Sequence, residues 1–149
     1  ETMQLSIACL ERAFQLTPCD ARLCNNLGLA YETLSAYIGI GIGIGIGSNE
    51  SISEKEEDAH NAIDHYYKQS VRIHELCERV GCDISFDFAT VALNYGLFVS
   101  NNDEFYDAVQ ILKKLRRIGK GVKYVENPEE DRIIEDGLRL LNFCEGMTK

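Results

Sequence analysis

Asp83-Ile84-Ser85-Phe86-Asp87-Phe88-Ala89-Thr90-Val91-Ala92-Leu93-Asn94-Tyr95-Gly96-Leu97-Phe98-Val99 decides how this chain folds. The run is almost wholly apolar and carries one uncharged amide, Asn94, in the middle of its most hydrophobic part. A helix that is hydrophobic all round packs inside an array rather than on its surface. A buried amide must find a partner or cost about 1–3 kcal/mol as an unpaired group. The expectation is therefore a stack of helices with Asn94 serving a peptide-binding groove.

Outward from that run, the 3.6-residue period predicts five more helices. Met3 to Leu16 places Leu5, Cys9, Ala13 and Leu16 on one side, with Ile7, Leu10 and Phe14 beside them. Thr17-Pro18 ends it, because the residue before proline is pushed out of the α region. Asp20 is the expected N-cap of a helix from Ala21 to Tyr37. Ser53-Glu54-Lys55-Glu56 fits a Ser-x-x-Glu capping box. The stripe after it runs Ala59, Ala62, Ile63, Tyr66, Ser70, Ile73, Leu76, Cys77 and Val80, with Gly81 as the left-handed terminator. Beyond the central run, Phe105, Ala108, Val109, Leu112 and Leu115 share a face. Lys113, Lys114, Arg116 and Arg117 lie opposite, near a helix end where the dipole favours cations. Asn127-Pro128 reads as an N-cap with proline at the first helical position. The helix it opens is expected to bury Ile133, Ile134, Leu138, Leu141 and Cys144.

Between the second and third helices stand five Ile-Gly dipeptides, Ile38 to Gly47. Five glycines make this segment entropically costly to order. It is expected to be a low-complexity loop insertion, residues 38–52, in an otherwise single helical domain spanning 1–149. The alternative is an extended strand that pairs with the edge of another chain. Asn49-Glu50-Ser51 matches a glycosylation sequon, without consequence in the cytosol.

Bulk composition narrows the classes. A net charge of −9 argues against a general nucleic-acid binder, which would carry a basic footprint. No apolar run approaches the roughly 20 residues a bilayer demands. The six cysteines form no Cys-x-x-Cys pair and are expected to be core or surface thiols in a reducing compartment. The chain opens on Glu1 rather than Met, as a fragment of a longer fold is expected to do.

Two related families are suggested by particular residues. Ala13 and Pro18, then Asn26-Leu27-Gly28 with Tyr31, are similar to a tetratricopeptide repeat, and Asn94-Tyr95-Gly96 recurs 68 positions later, about twice the 34-residue period. A longer stretch, Tyr66 to Cys144, resembles the C-terminal half of the 14-3-3 family. Tyr67-Lys68-Gln69-Ser70-Val71-Arg72-Ile73 is similar to that family's Tyr-Gln-Glu-Ala-Phe-Glu-Ile helix. Val91-Ala92-Leu93-Asn94-Tyr95-Gly96-Leu97-Phe98 is similar to its Leu-Ala-Leu-Asn-Phe-Ser-Val-Phe signature, and Ile133-Ile134 through Phe143-Cys144 resembles its final helix.

The 14-3-3 resemblance implies an all-α array of about six antiparallel helices and a peptide groove with Asn94 as polar contact and Leu93 and Phe143 as apolar lining. Where the family places a phosphate-binding Arg-Tyr pair, this chain has Glu32 and Thr33, and Leu140 replaces a backbone-gripping asparagine. Glu32 would repel a phosphate that arginine would clamp. Ordinary phosphopeptide recognition is therefore expected to be impaired. Dimerisation is expected only if the family's N-terminal helices lie elsewhere. The tetratricopeptide alternative implies a scaffold for an extended unphosphorylated peptide, held by an asparagine ladder at Asn26 and Asn94.

Catalysis finds little support. His60 and His65 are five apart on one helix, and His74 lies about 20 Å beyond His60 at 1.5 Å per residue. His74, Cys77 and Cys82 have no standard zinc spacing. The basic cluster Lys113, Lys114, Arg116, Arg117, Lys120 and Lys123 reads as a solvated face, or alternatively as a patch for an acidic partner or membrane surface. The chain is thus expected to be a cytoplasmic, non-catalytic adaptor for a protein or peptide partner, with no cofactor, no metal, no nucleic acid and no membrane.

Overall fold

The computed structural model describes residues 2–43, 49–82, 85–118 and 127–149. They form six helices: α1 (Thr2–Leu16), α2 (Ala21–Gly43), α3 (Asn49–Arg79), α4 (Ser85–Asn101), α5 (Phe105–Ile118) and α6 (Pro128–Met147). No strand occurs among the described residues. The fold is an all-α array, as the periodicity predicts. Among the described residues no helix is long and apolar enough to cross a membrane.

Local chemistry sets most of the helix ends. Asp20 Oδ1 accepts from the backbone N–H groups of Arg22 and Leu23 at 3.0 and 3.1 Å, satisfying donors that α2 leaves unpaired. Asn127 Oδ1 does the same for Glu129 and Glu130 at 3.1 and 3.3 Å, with Pro128 at the first helical position. Gly81 terminates α3 at φ +84, a conformation that side chains with a Cβ rarely adopt. Asp103 performs the same task after α4, at φ 61.

Two boundaries differ from expectation. The 38–52 segment is not a loop throughout: α2 continues through Gly43, so Ile38 to Gly43 have helical backbone. Extending an existing helix adds one hydrogen bond per residue without a new nucleus, which offsets the roughly 1 kcal/mol cost of each glycine. Residues 44–48 of the Ile-Gly run lie outside the described residues. Ser53 is not a cap either, because α3 begins four residues earlier, at Asn49.

The chain divides into two compact units, Glu1–Ile73 and His74–Lys149, with the boundary inside α3. In the first, α1 packs on α2, and Ile7, Cys24, Leu27, Ala59, Ile63 and Tyr67 are buried. The covered face of α1 is Ile7 with Leu10 and Phe14. Leu5 and Leu16 face solvent, at 65% and 69% exposure. Periodicity allowed either face, and only the rings of α2 and α3 decide between them. Phe14 meets Tyr66 edge to face at 5.6 Å. Ser70 joins α3 to α2 by donating to the Ala21 carbonyl at 2.7 Å. Gly28 lets the fully buried Tyr67 approach: a Cβ there would stand 2.6 Å from the Tyr67 ring.

In the second unit α4, α5 and α6 pack pairwise on one another. Their core holds Phe88, Val91, Val99, Leu112, Leu115, Ile134, Leu141 and Cys144. Gly96 on α4 faces Leu112 of α5, and a Cβ there would stand 2.5 Å from a Leu112 methyl. Gly137 on α6 likewise meets Leu115 of α5 and Leu93 of α4. Leu76 and Val80, placed on the buried stripe of α3 by periodicity, are exposed.

Two substitutions test this packing. Gly28→Ala adds up to about 1 kcal/mol of helix propensity, but overpacking against a rigid buried ring costs about 1–3 kcal/mol. The expected result is a net loss of about 1 kcal/mol in urea unfolding, and a gain would contradict the close approach. Asp103→Gly relieves a left-handed residue that costs about 1–2 kcal/mol, against the greater unfolded-state freedom of glycine. Its unfolding free energy is expected to rise by about 0.5 kcal/mol.

Candidate functional site

The residues expected to hold a peptide fall into both units. Leu93 and Asn94 on α4 and Phe143 on α6 belong to the second, whereas Asn26 stands exposed on α2 of the first. Within α4 nearly every position beyond the first turn is buried, with one consistent exception. Thr90, Leu93 and Asn94 are half-buried and Leu97 is 41% exposed. Positions three, four and seven apart share one helix face. The helix that is apolar on all sides thus opens a single narrow stripe to solvent, and Asn94 lies on it. Asn94 also has an interaction of its own within the folded chain.

Alongside, α6 presents a second stripe. Leu140 is half-buried, Phe143 is 57% exposed and Met147 is 54% exposed, again at helical spacing. Phe143 is held in place by Phe105 of α5, edge to face at 6.0 Å. Leu93 marks the seam between the two stripes, since its methyl lies 3.7 Å from where a Gly137 Cβ would be. Leu97 and Met147 were not singled out in the sequence, although both continue the spacing of residues that were.

The basic cluster is neutralised from within its own unit. Lys114 pairs with Glu75, Arg117 with Glu78 at 2.7 Å, and Arg116 with Glu145 at 3.0 Å. The Arg117 guanidinium also lies 5.9 Å from the centre of the Phe88 ring, on which His74 stacks at 5.5 Å. Three of the four described cations of the cluster are thus engaged by carboxylates. Exposed pairs of this kind contribute about 0–1 kcal/mol each. Lys120 and Lys123 lie outside the described residues.

Among the described residues no group of three His, Cys, Asp or Glu side chains is placed to hold a metal ion. All six cysteines are free thiols.

The first unit holds a cavity of about 370 Å³ lined by Tyr31, Leu34, Lys55, Asp58 and Ala62, among others. Tyr31 stacks on Tyr66 at 5.8 Å and donates its phenol hydrogen to Glu11. None of the four expected peptide-contact residues lines this space.

Five groups in this unit, Cys24, Tyr31, Glu32, Tyr66 and Tyr67, are pushed toward their neutral forms. Burial, then the nearby charge of Asp20, raises the Cys24 thiol from 9.0 to about 11. Burial first, then the bond to Glu11, raises the Tyr31 phenol. Burial and the facing Glu32 carboxylate raise Tyr67, and burial raises Tyr66. Glu32 is itself raised by burial, partly offset by the nearby Tyr67 phenol. Glu32 and the Tyr67 phenol thus influence each other within the first unit.

A raised folded-state value stabilises fully below the unfolded value and is lost as pH climbs through the folded one. For Cys24 that window is 9.0 to about 11, and the tyrosines begin to contribute above their ordinary 10.0. Thermal melts followed by circular dichroism should be level from neutral pH to about 9 and fall steeply above it. A melting temperature unchanged up to about pH 11 would contradict the burial of these groups.

No family model, no curated protein and no solved structure matches this chain.

Proposed function

We propose that this protein is a non-catalytic adaptor of the 14-3-3-like type that binds a partner peptide along the seam between α4 and α6. The observation that carries the proposal is the single open stripe of α4, in which Asn94 sits between Leu93 and Leu97 beside the exposed Phe143 and Met147 of α6. An extended chain on that seam meets apolar anchors and one amide able to bond its backbone. An asparagine side chain offers two donors and two lone pairs, so an existing interaction of Asn94 leaves capacity for a ligand.

Helix length favours this reading over a tetratricopeptide scaffold. A 34-residue repeat of two helices leaves about 12–15 residues for each, whereas α2 has 23, α3 has 31 and α6 has 20. The separation of Asn26 and Asn94 into different compact units adds nothing to the asparagine-ladder alternative. The 14-3-3 resemblance, with Glu32, Thr33 and Leu140 at positions where that family binds phosphate and peptide backbone, implies an unphosphorylated ligand. The thiols and phenols with resolved shifts are all raised, the opposite of an activated nucleophile. Cytoplasmic residence and a role in signalling belong to the same proposal.

Anisotropy titrations with labelled phosphorylated and unphosphorylated peptide libraries test it. Unphosphorylated peptides with apolar anchors are expected to bind best. Asn94→Ala should then weaken binding by about 1–2 kcal/mol, a factor of roughly 5–30. Phe143→Ala should weaken it at least as much while leaving the melting temperature near the wild-type value. Affinity unchanged by both substitutions would remove the seam from consideration.

A further inference from the structure

Cys77 and Cys82 are five positions apart in the chain, and the end of α3 brings their backbones together. Gly81 N–H donates to the Glu78 carbonyl at 3.0 Å, and Cys82 N–H donates to the Cys77 carbonyl at 3.1 Å. With Gly81 at φ +84, these two bonds make a Schellman motif. In that motif the residue third from the helix end and the residue second beyond it commonly make side-chain contact. Here both are cysteines.

The hydrogen bond limits their separation. Standard bond lengths would put the two α-carbons about 7.3 Å apart if all the bonds between them lay in line, and the ~120° bond angles at the carbonyl carbon and the amide nitrogen bring them within the ~4.4–6.8 Å that a disulfide spans. Both thiols are free, Cys82 exposed and Cys77 half-buried. The other four cysteines are placed differently: Cys24 and Cys144 are buried, and Cys9 and Cys19 are exposed on α1 and in the turn after it.

We propose that Cys77 and Cys82 form a reversible dithiol–disulfide switch whose oxidant is a small-molecule disulfide. The exposed Cys82 thiolate attacks one sulfur of that disulfide, breaking its S–S bond and expelling one thiolate. The Cys77 thiolate then attacks the Cys82 sulfur of the mixed disulfide and expels the second. The protein loses two electrons and two protons, and the small molecule leaves as two thiols. The product is a six-residue ring closed over the end of α3. That end also carries Glu75 and Glu78, which hold Lys114 and Arg117 of α5, so oxidation fixes in covalent form a turn adjoining both ion pairs.

The test exposes the full reduced chain to glutathione buffers of graded oxidised-to-reduced ratio, followed by alkylation and tryptic mapping. Trypsin cuts after Arg79, between the two cysteines, so the oxidised form yields a joined product and the reduced form two separate peptides. The expected result is a joined product whose yield falls with the square of the reduced-glutathione concentration, because two thiols are released per ring. Cys77→Ser should stop at a mixed disulfide on Cys82, whose yield falls with the first power, and circular dichroism confirms that this variant is folded. Persistent glutathione on Cys82 of the wild-type chain, with Cys77 still open to alkylation, overturns the proposal. So does modification of Cys9 and Cys19 with neither Cys77 nor Cys82 oxidised.

Discussion

Leu112 and Leu115 of α5 are fully buried, and each is set against a glycine of a different neighbour: Gly96 on α4 and Gly137 on α6. These two notches govern the second unit. Without a Cβ on either neighbour, the leucines reach the helix backbones and the three axes approach closely. Each buried leucine contributes about 1.5–3 kcal/mol, and the tight approach leaves α4 covered except for one stripe. That stripe is Thr90, Leu93, Asn94 and Leu97. Leu93, which also touches the Gly137 position, couples that stripe to α6.

The first unit solves the same problem with an aromatic ring. Gly28 admits Tyr67, and the charge of Glu32 acts on the Tyr67 phenol. Burial raises both groups, and the Glu32 charge raises the Tyr67 phenol further, whereas the phenol acts on Glu32 in the opposite direction.

Helix count and most helix ends were legible because their causes are local. Asp20, Asn127 and Gly81 each act within a few residues, through a side-chain oxygen or a left-handed backbone turn. The exposed side of α1 was not legible, since Leu5, Cys9 and Leu16 form as regular a stripe as Ile7, Leu10 and Phe14. Nor was the neutralisation of the basic cluster, because Glu75, Glu78 and Glu145 lie 39, 39 and 29 positions from their partners. The pairing of Cys77 with Cys82 needed the backbone bonds of the turn, although Gly81 had already pointed to its conformation.

By itself the sequence determined an all-helical chain, its punctuation, and an apolar central helix marked by one amide. Those follow from periodicity and from side chains acting on their own backbone. Only the tertiary structure decided which faces are covered, which charges are already spoken for, and that Asn94 lies on a partly open stripe rather than in a sealed core. Burial is a property of pairs of surfaces, and a one-dimensional pattern describes only one member of each pair.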